Sequence, residues 1–148
     1  MTGHRLIPFE GDLEPDEDYE GLRFAEVTFD DAAGVQAFSS ALRRVRFRGG
    51  KLDSVNFRSA TLTDVTFEDC VLREVDFGAA TLLRVSFAGC TLTGADFAKA
   101  ACTEVDLRGA RLGITAGWES LRGVTIDSGQ LVTLAPYLAR HLGIAVAD

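Results

Sequence analysis

Large hydrophobic residues recur at every fifth position from Leu42 to Leu112. Fourteen of these fifteen positions hold Leu or Phe, the exception is Cys102, and the first twelve alternate strictly between Leu and Phe. A period of five matches neither the 3.6-residue period of a helix nor the two-residue period of a flat strand. The pattern therefore predicts a repeat architecture, in which similar short units stack on one another.

A second regular position lies two residues before each Leu or Phe. It is usually Val before Phe and a small residue before Leu. Residues two apart lie on the same side of an extended chain, so both positions point inward. Each unit is then a very short strand with one outward side chain between two inward ones, followed by two corner residues. The corners are rich in residues that favour turns: Gly49, Ser54, Asp64, Asp69, Gly89, Gly94 and Gly109.

The alternation also predicts how many units close one coil. With three units, residues fifteen apart would stack, and Leu62 would lie between Phe47 and Phe77. With four units, residues twenty apart would stack, which places Phe67 between Phe47 and Phe87 and keeps Leu over Leu. The strict alternation favours an even number, and two units could not enclose a core. We therefore predict four units in each coil.

The outward charges favour the same spacing of twenty. Opposite charges become neighbours in successive coils, where strands lie about 4.8 Å apart. Exposed pairs of this kind contribute little to stability, so they select the register more than they hold the coils together. The predicted neighbours are the corner column Arg44, Asp64, Arg84 and Glu104, and the pairs Arg48 with Glu68 and Asp53 with Arg73.

At residues 60–64 (ATLTD), 65–69 (VTFED) and 95–99 (ADFAK) the chain resembles the pentapeptide-repeat family. The resemblance covers residues 40–112 densely and residues 22–29 more loosely. It implies an all-β, right-handed, four-sided parallel β-helix of about four to five coils, a form of repeat solenoid. This agrees with the stacking argument. The chain departs from the family in the steady Val before Phe, which fills more of the interior.

We predict three segments. They are an acidic N-terminal segment over residues 1–18, the β-helix over residues 19–115 with an irregular loop at about 30–41, and a C-terminal cap over residues 116–148. The cap is expected to contain a helix over about residues 128–142.

Local signals place this helix. Asp127 and Gln130 have the spacing of a helix-capping pair, and Gly143 is a residue that commonly follows the last helical turn. Proline has no backbone N–H and disfavours a helix interior, so Pro136 predicts a break near Leu134.

Four leucines recur at roughly helical spacing in the cap. One interpretation is a lid over the last coil, because a β-helix must cover its open strand edges. The other is a contact between two copies, since several members of the family pair through their C-terminal ends. A monomer and a C-terminally mediated homodimer therefore both stay open. The candidate dimer contacts are Leu131, Leu134, Leu138 and Leu142.

The net charge, the apolar runs and the cysteine content argue against several classes of protein. The formal net charge is -7 over 148 residues, which argues against nucleic acid or an anionic membrane as a direct partner. No apolar run is long enough to span a membrane. Residues 1–18 are polar and have none of the features of a signal peptide. Three cysteines without metal-ligand spacing suit a reducing compartment, so we expect a cytoplasmic protein.

No group of residues is typical of a catalytic, cofactor or metal site, so we predict a non-enzymatic protein without cofactors. Asp76 and Asp96 should stack as like charges on an open wall, without the enclosing pocket that acid–base chemistry needs. Cys70 and Cys90 should stack inside the coil, close enough for a disulfide. We interpret them as two small buried thiols, because Ala fills the same role on another wall.

Acidic residues are concentrated near the N-terminus. Residues 1–31 hold ten acidic and two basic residues, whereas the other residues hold twelve acidic and thirteen basic ones. We expect this segment either to lie on a basic girdle of the first regular coil or to be available to a protein partner. The girdle is Arg43, Arg44, Arg46, Arg48, Lys51 and Arg58. The candidate partner contacts are Asp16, Glu17, Asp18, Glu20, Asp76 and Asp96.

The predicted stack of coils, which we call the tower, is regular and has no pocket. This favours a binding or scaffold protein that acts through protein–protein contacts. The resemblance implies a sharper alternative. Some pentapeptide-repeat proteins mimic duplex DNA with an acidic rod and bind type II topoisomerases such as DNA gyrase, which gives resistance to an antibiotic or a toxin. A third hypothesis is an accessory module without a dedicated partner site. The locally cancelling charge columns on the tower favour the first hypothesis over the second.

Overall fold

The computed structural model describes residues 7–8, 22–25, 28–30, 37, 39–53 and 55–148, and side chains at 37, 39–52 and 55–148. Four of the candidate partner contacts lie outside these residues, namely Asp16, Glu17, Asp18 and Glu20. The predicted contact between the basic girdle and the acidic N-terminal segment lies outside them as well. The six girdle residues are described, and all of them are exposed.

Short parallel strands and the turns between them make up most of the described chain, and an α-helix follows them. The strands form two sheets. The strands are β1 Ile7–Pro8, β2 Leu22–Ala25, β3 Thr28–Asp30, β4 Ala41–Arg43, β5 Arg46–Arg48, β6 Lys51–Asp53, β7 Thr61–Glu68, β8 Val71–Arg73, β9 Thr81–Ser86, β10 Thr91–Asp96, β11 Ala101–Asp106, β12 Arg111–Ala116 and β13 Val124–Thr125. One sheet follows the order β1-β2-β4-β7-β9-β11-β13 with β3 and β5 joined to it, and the other follows β6-β8-β10-β12.

Successive coils repeat after twenty residues, as the alternation of Leu and Phe predicts. Leu42 pairs with Leu62, and Phe47 pairs with Phe67. The Phe67 ring stacks 4.9 Å from Phe47 and 5.0 Å from Phe87, measured between ring centroids. On the opposite wall the stacked rings are 5.5 and 5.1 Å apart. The predicted four-sided parallel β-helix is therefore confirmed.

The interior of the tower is closed and apolar. The six stacked phenylalanines between positions 47 and 97 are at most 1% exposed, as are the inward leucines Leu52, Leu62, Leu72, Leu82 and Leu92. Rings on opposite walls meet edge to face, for example Phe57 and Phe67 at 5.9 Å. Offset stacks and edge-to-face pairs are the favourable aromatic arrangements, so each ring contributes both area and geometry to the core.

The corners use left-handed backbone at many residues that are not glycine. Ten such residues have φ between 51° and 61°, a region that costs an ordinary residue about 1–2 kcal/mol. Their backbone N–H groups are used across coils: that of Arg44 donates to the carbonyl of Thr63 at 3.0 Å, and that of Glu74 to Thr93 at 2.7 Å. The residues are Ser39, Arg44, Ser59, Asp64, Asp69, Glu74, Ala79, Arg84, Lys99 and Glu104.

The coils near the N-terminus have a shorter repeat. Phe24 pairs with Leu42 and Phe29 with Phe47, each eighteen residues apart in the sequence. Ala37 is buried, and its N–H donates to the carbonyl of Asn56. The coil geometry is thus already present at residues 37, 39 and 40, inside the stretch for which an irregular loop was predicted.

A short 3₁₀ helix, Trp118–Ser120, precedes β13, and helix α1, Ser128–His141, follows it. Asp127 and Gln130 form the predicted capping box, and Gly143 follows the helix with φ of 72°. The predicted break near Leu134 is wrong, because α1 continues through Pro136.

The reason for this continuity is contact on both sides of the proline. Before it, the side-chain amide of Gln130 donates to the carbonyls of Leu107 and Ala110, at 2.6 and 2.8 Å. After it, the Tyr137 ring stacks on Trp118 at 5.8 Å. These tertiary contacts compensate for the one hydrogen bond that proline removes from the helix.

Candidate protein-interaction surface

The walls of the tower carry ion pairs that link successive coils. Arg84 Nε and Nη2 donate to the two carboxylate oxygens of Asp64, at 2.5 and 3.1 Å, which is the contact expected in the corner column. These hydrogen bonds lower the pKa of Asp64 below its ordinary value. Because both side chains are well exposed, water and salt screen the pair, and its main effect is on register.

The second predicted pair, Arg48 and Glu68, has the expected register, but Glu68 forms its ion pair with another arginine. Glu68 and Arg48 are paired at their α-carbons, as expected from the spacing of twenty. The described ion pair of Glu68 is with Arg46, at 3.4 Å. Long side chains reach diagonal neighbours two residues along the partner strand, so correct register does not fix the ion pair. Asp53 and Arg73 are also α-carbon partners, as predicted.

Asp76 and Asp96 lie one above the other, as the stacking predicts. Each carboxylate accepts a hydrogen bond from the backbone N–H two residues later, at Gly78 (2.7 Å) and Ala98 (2.8 Å). Short polar side chains stabilise turns in this way. Asp76 also lies 3.7 Å from Arg58 Nη1. These bonds give both carboxylates a structural role, and their contact with a partner stays a prediction.

The three cysteines are free thiols and form no disulfide. Cys70 Sγ lies 3.3 Å from the carbonyls of Gly49 and Glu68, and Cys90 Sγ lies 3.3 Å from that of Phe67. A hydrogen bond with the Cys90 thiol and burial raise the pKa of Cys70 far above its usual range. Burial raises the pKa of Cys102 to about 11. Raised values keep Cys70 and Cys102 as thiols, which are poor nucleophiles. The hydrogen bond with Cys70 lowers the pKa of Cys90, so burial alone shields this sulfur from reagents.

We therefore expect the folded protein to react slowly with Ellman's reagent at pH 8, and all three thiols to react after unfolding in guanidinium. Absorbance at 412 nm measures the reaction. Rapid labelling of the folded chain would contradict the buried placement.

The raised pKa of Cys102 also makes stability depend on pH. The protonated Cys102 stabilises the fold below pH about 8.5, the ordinary pKa of an unfolded cysteine, and this contribution is lost as the pH rises through about 11.

The C-terminal end of the tower differs from its walls. Helix α1 crosses the last coil and leaves an open cavity of about 540 Å³ under its second half, which we call the end groove. Its floor is the end of the apolar core, and the polar side chains of Glu119, Arg122 and His141 are exposed at its edge. The lining residues are Leu107, Ile114, Trp118, Glu119, Leu121, Arg122, Val124, Ile126, Leu134, Leu138, His141 and Leu142.

Exposed apolar side chains also gather at this end. Every large hydrophobic residue that is exposed within the described part of the chain lies between positions 131 and 146. We call five of them the C-terminal apolar patch: Leu131 (51% exposed), Val132 (75%), Leu142 (70%), Ile144 (55%) and Val146 (79%).

The structure separates the four leucines for which dimer contacts were predicted. Leu134 packs on the last coil and is 3% exposed, and Leu138 is half-buried in the groove wall. Leu131 and Leu142 are exposed, and they lie on one line along α1 because eleven residues make about three turns. Residues three or four apart share one face of a helix, so Leu131 and Leu142 lie at the two ends of the face whose middle, Leu134 and Leu138, covers the coil.

Sequence reasoning missed three members of the patch, namely Val132, Ile144 and Val146. Val132 is outside the leucine spacing, so its exposure depends on how α1 is rotated on the coil. Ile144 and Val146 follow Gly143, where the helical pattern ends. The available signal was the run of apolar residues after this glycine, which is unusual for an exposed tail.

Within the described residues, no cluster of His, Cys, Asp and Glu side chains could hold a metal ion. None of the helices described is long and apolar enough to cross a membrane.

Among solved structures, QnrB1, a plasmid-mediated fluoroquinolone resistance protein, is 20% identical to this chain, with coverage of 87% of this chain and 74% of that chain and a TM-score of 0.43. HetL, involved in heterocyst differentiation regulation in the cyanobacterium Nostoc sp. strain PCC 7120, is 18% identical, with coverage of 77% and 63% and a TM-score of 0.37. Rfr23 from the cyanobacterium Cyanothece 51142 is 13% identical, with coverage of 76% and 65% and a TM-score of 0.38.

No curated protein matches the chain in sequence. The family model described as "Pentapeptide repeat region" matches residues 40–115, which is about half of the chain and includes the whole run of stacked phenylalanines. The repeat of twenty residues and the inward Leu and Phe columns are the structural counterpart of that match. The chain belongs to the pentapeptide repeat family.

Proposed function

We propose that this protein is a non-enzymatic, cytoplasmic scaffold that binds proteins, and that it associates with a second copy of itself through the C-terminal apolar patch. One observation carries the proposal: the exposed large hydrophobic residues of the described chain are confined to residues 131–146. The walls instead expose charged residues and threonine, and four of their carboxylates are in ion pairs with arginines. Contiguous apolar patches mark interaction sites in soluble proteins.

The shape of the patch suits a symmetric contact between two copies. Leu131 and Val132 lie near the start of α1, Leu142 follows its last residue, and the tail residues Ile144 and Val146 come directly after it. In a two-fold contact the same patch is used by both subunits, so an apolar stripe on a helix is self-complementary. Two such rods joined at their ends expose both N-terminal regions to further partners.

The test is the concentration dependence of the molecular mass. We expect light scattering after size exclusion to show a dimer for the natural chain, and a monomer for Val132→Glu, because a carboxylate would be desolvated in the contact. The matched control is Thr81→Glu, which adds the same charge at an exposed position on a tower wall. A mass that stays monomeric for the natural chain at millimolar concentration would overturn the proposal.

DNA mimicry with DNA gyrase as the partner is the alternative. Outside residues 1–31 the acidic and basic residues nearly balance, so mimicry would depend on the acidic segment rather than on the tower. We expect the purified protein to leave gyrase supercoiling unchanged at every ratio. Inhibition or drug protection that weakens as salt rises would instead support mimicry, because salt screens the attraction between opposite charges.

A further inference from the structure

We propose that the end groove of one copy binds the segment Ile144–Val146 of a second copy, and that the exchange is reciprocal. This inference rests on the proposed self-association and names the contact that holds it. Each copy would contribute one tail and receive one tail, so two identical contacts form across a single two-fold axis.

The end groove has the size and lining for such a segment. Its volume of about 540 Å³ lies in the range of clefts that hold small ligands or peptide side chains. Leu107, Ile114 and Leu134 are at most 7% exposed and form its base, and Leu121, Val124 and Ile126 are half-buried along its sides. Filling it would bury apolar surface on both sides of the contact, which is the main favourable term in association.

The tail offers matching side chains that one copy leaves exposed. Ile144 and Val146 are two residues apart, so an extended tail directs both to the same side. All residues from Arg140 to Asp148 are exposed, so the tail does not fill its own groove. The N–H of Ile144 donates to the carbonyl of Ala139 at 2.8 Å, which fixes the start of the tail against α1 and disfavours folding back into the same copy.

Charges at the edge of the groove select the orientation. Glu119 lies 3.7 Å from His141, whereas Arg122 takes part in no ion pair among the residues described. Asp148 follows Val146 by two residues, so a tail with its apolar side chains in the groove carries a carboxylate to the edge. Arginine binds carboxylates through two parallel hydrogen bonds, which makes Arg122 the expected partner of Asp148.

Cross-linking between two single variants tests the contact directly. Copies with Val146→Cys are mixed with copies with Leu121→Cys and oxidised with diamide, which takes up the two thiol hydrogens as the disulfide forms. We expect a disulfide-linked heterodimer on a non-reducing gel. The control pairs Val146→Cys with Thr81→Cys, on an exposed wall, and should give little product. Equal yields in both mixtures, or no product in the first, would overturn the inference.

Removal of residues 144–148 separates this inference from the proposed function. We expect the truncated chain to dimerise about tenfold more weakly or worse, since the lost contacts are central and apolar. Arg122→Gln should weaken dimerisation in the natural chain and have no further effect in the truncated one. If truncation leaves the dissociation constant unchanged while Val132→Glu abolishes the dimer, the patch is correct and the tail exchange is wrong.

Discussion

Replacement of Phe67 by alanine is expected to lower the free energy of unfolding by about 3–5 kcal/mol, the usual cost of removing a buried aromatic ring. The ring is fully buried, is stacked on Phe47 and Phe87, and meets Phe57 edge to face. The variant therefore opens a cavity that neighbouring coils share. The β-helix is held by contacts between adjacent coils, so the loss should be felt over the whole stack.

Two further variants make this prediction specific to the ring. Phe67→Leu should cost much less, because Leu107 already continues the same column and is fully buried there. Thr66→Ala, on the outward side of the same strand, should have a small effect. Urea denaturation followed by far-ultraviolet circular dichroism measures all three. A Phe67→Ala loss no larger than that of Thr66→Ala would contradict the stacked core.

Gly117→Ala is expected to be the most damaging of the glycine substitutions at the C-terminal end. Gly117 has φ of 85°, and a Cβ at this position would overlap the carbonyl carbon of Phe97 and the amide nitrogen of Ala98. These are backbone atoms of the coil beneath, so the overlap can be relieved only by lifting the last coil. The turn before Trp118 would move with it, together with the stack of this ring on Tyr137.

Gly143→Ala is the matched control, because it shares the left-handed backbone without the overlap. Its φ is 72°, and no atom lies within 4 Å of an added Cβ. It should therefore cost only the backbone term of about 1–2 kcal/mol. Scanning calorimetry should show a clearly larger fall in melting temperature for Gly117→Ala than for Gly143→Ala. Equal falls would mean that the last coil is not packed as described.

The tower could be predicted from the sequence because each of its rules is local and repeated. One position in five sets the inward column, and the alternation of Leu and Phe sets the spacing of twenty that places Phe67 between Phe47 and Phe87. The five-residue period places the corners, including that of Arg44, but residue type does not predict the left-handed backbone found at Arg44 and Glu74. At such residues the register imposes the backbone conformation, and no local preference announces it.

The C-terminal end was less predictable because its geometry depends on contacts distant in sequence. The continuity of α1 depends on Gln130, whose partners Leu107 and Ala110 lie about one coil earlier. The last coil, beside the end groove, is also one residue short, as shown by the pairing of Val105 with Val124. Spacing along the helix predicted one apolar face, but the position of α1 on the coil decided that Leu134 is buried and Leu131 and Leu142 are exposed.

The twenty-residue register has a consequence for how this molecule can change in evolution. Duplication of a twenty-residue segment between equivalent corners would insert one complete coil, about 4.8 Å high, and leave both ends of the β-helix unchanged. The length of the β-helix can therefore change in steps of one coil, independently of the helix and tail that follow its last coil. Deletions of the same length would be tolerated for the same reason, whereas a deletion of five residues would place Leu over Phe in one column.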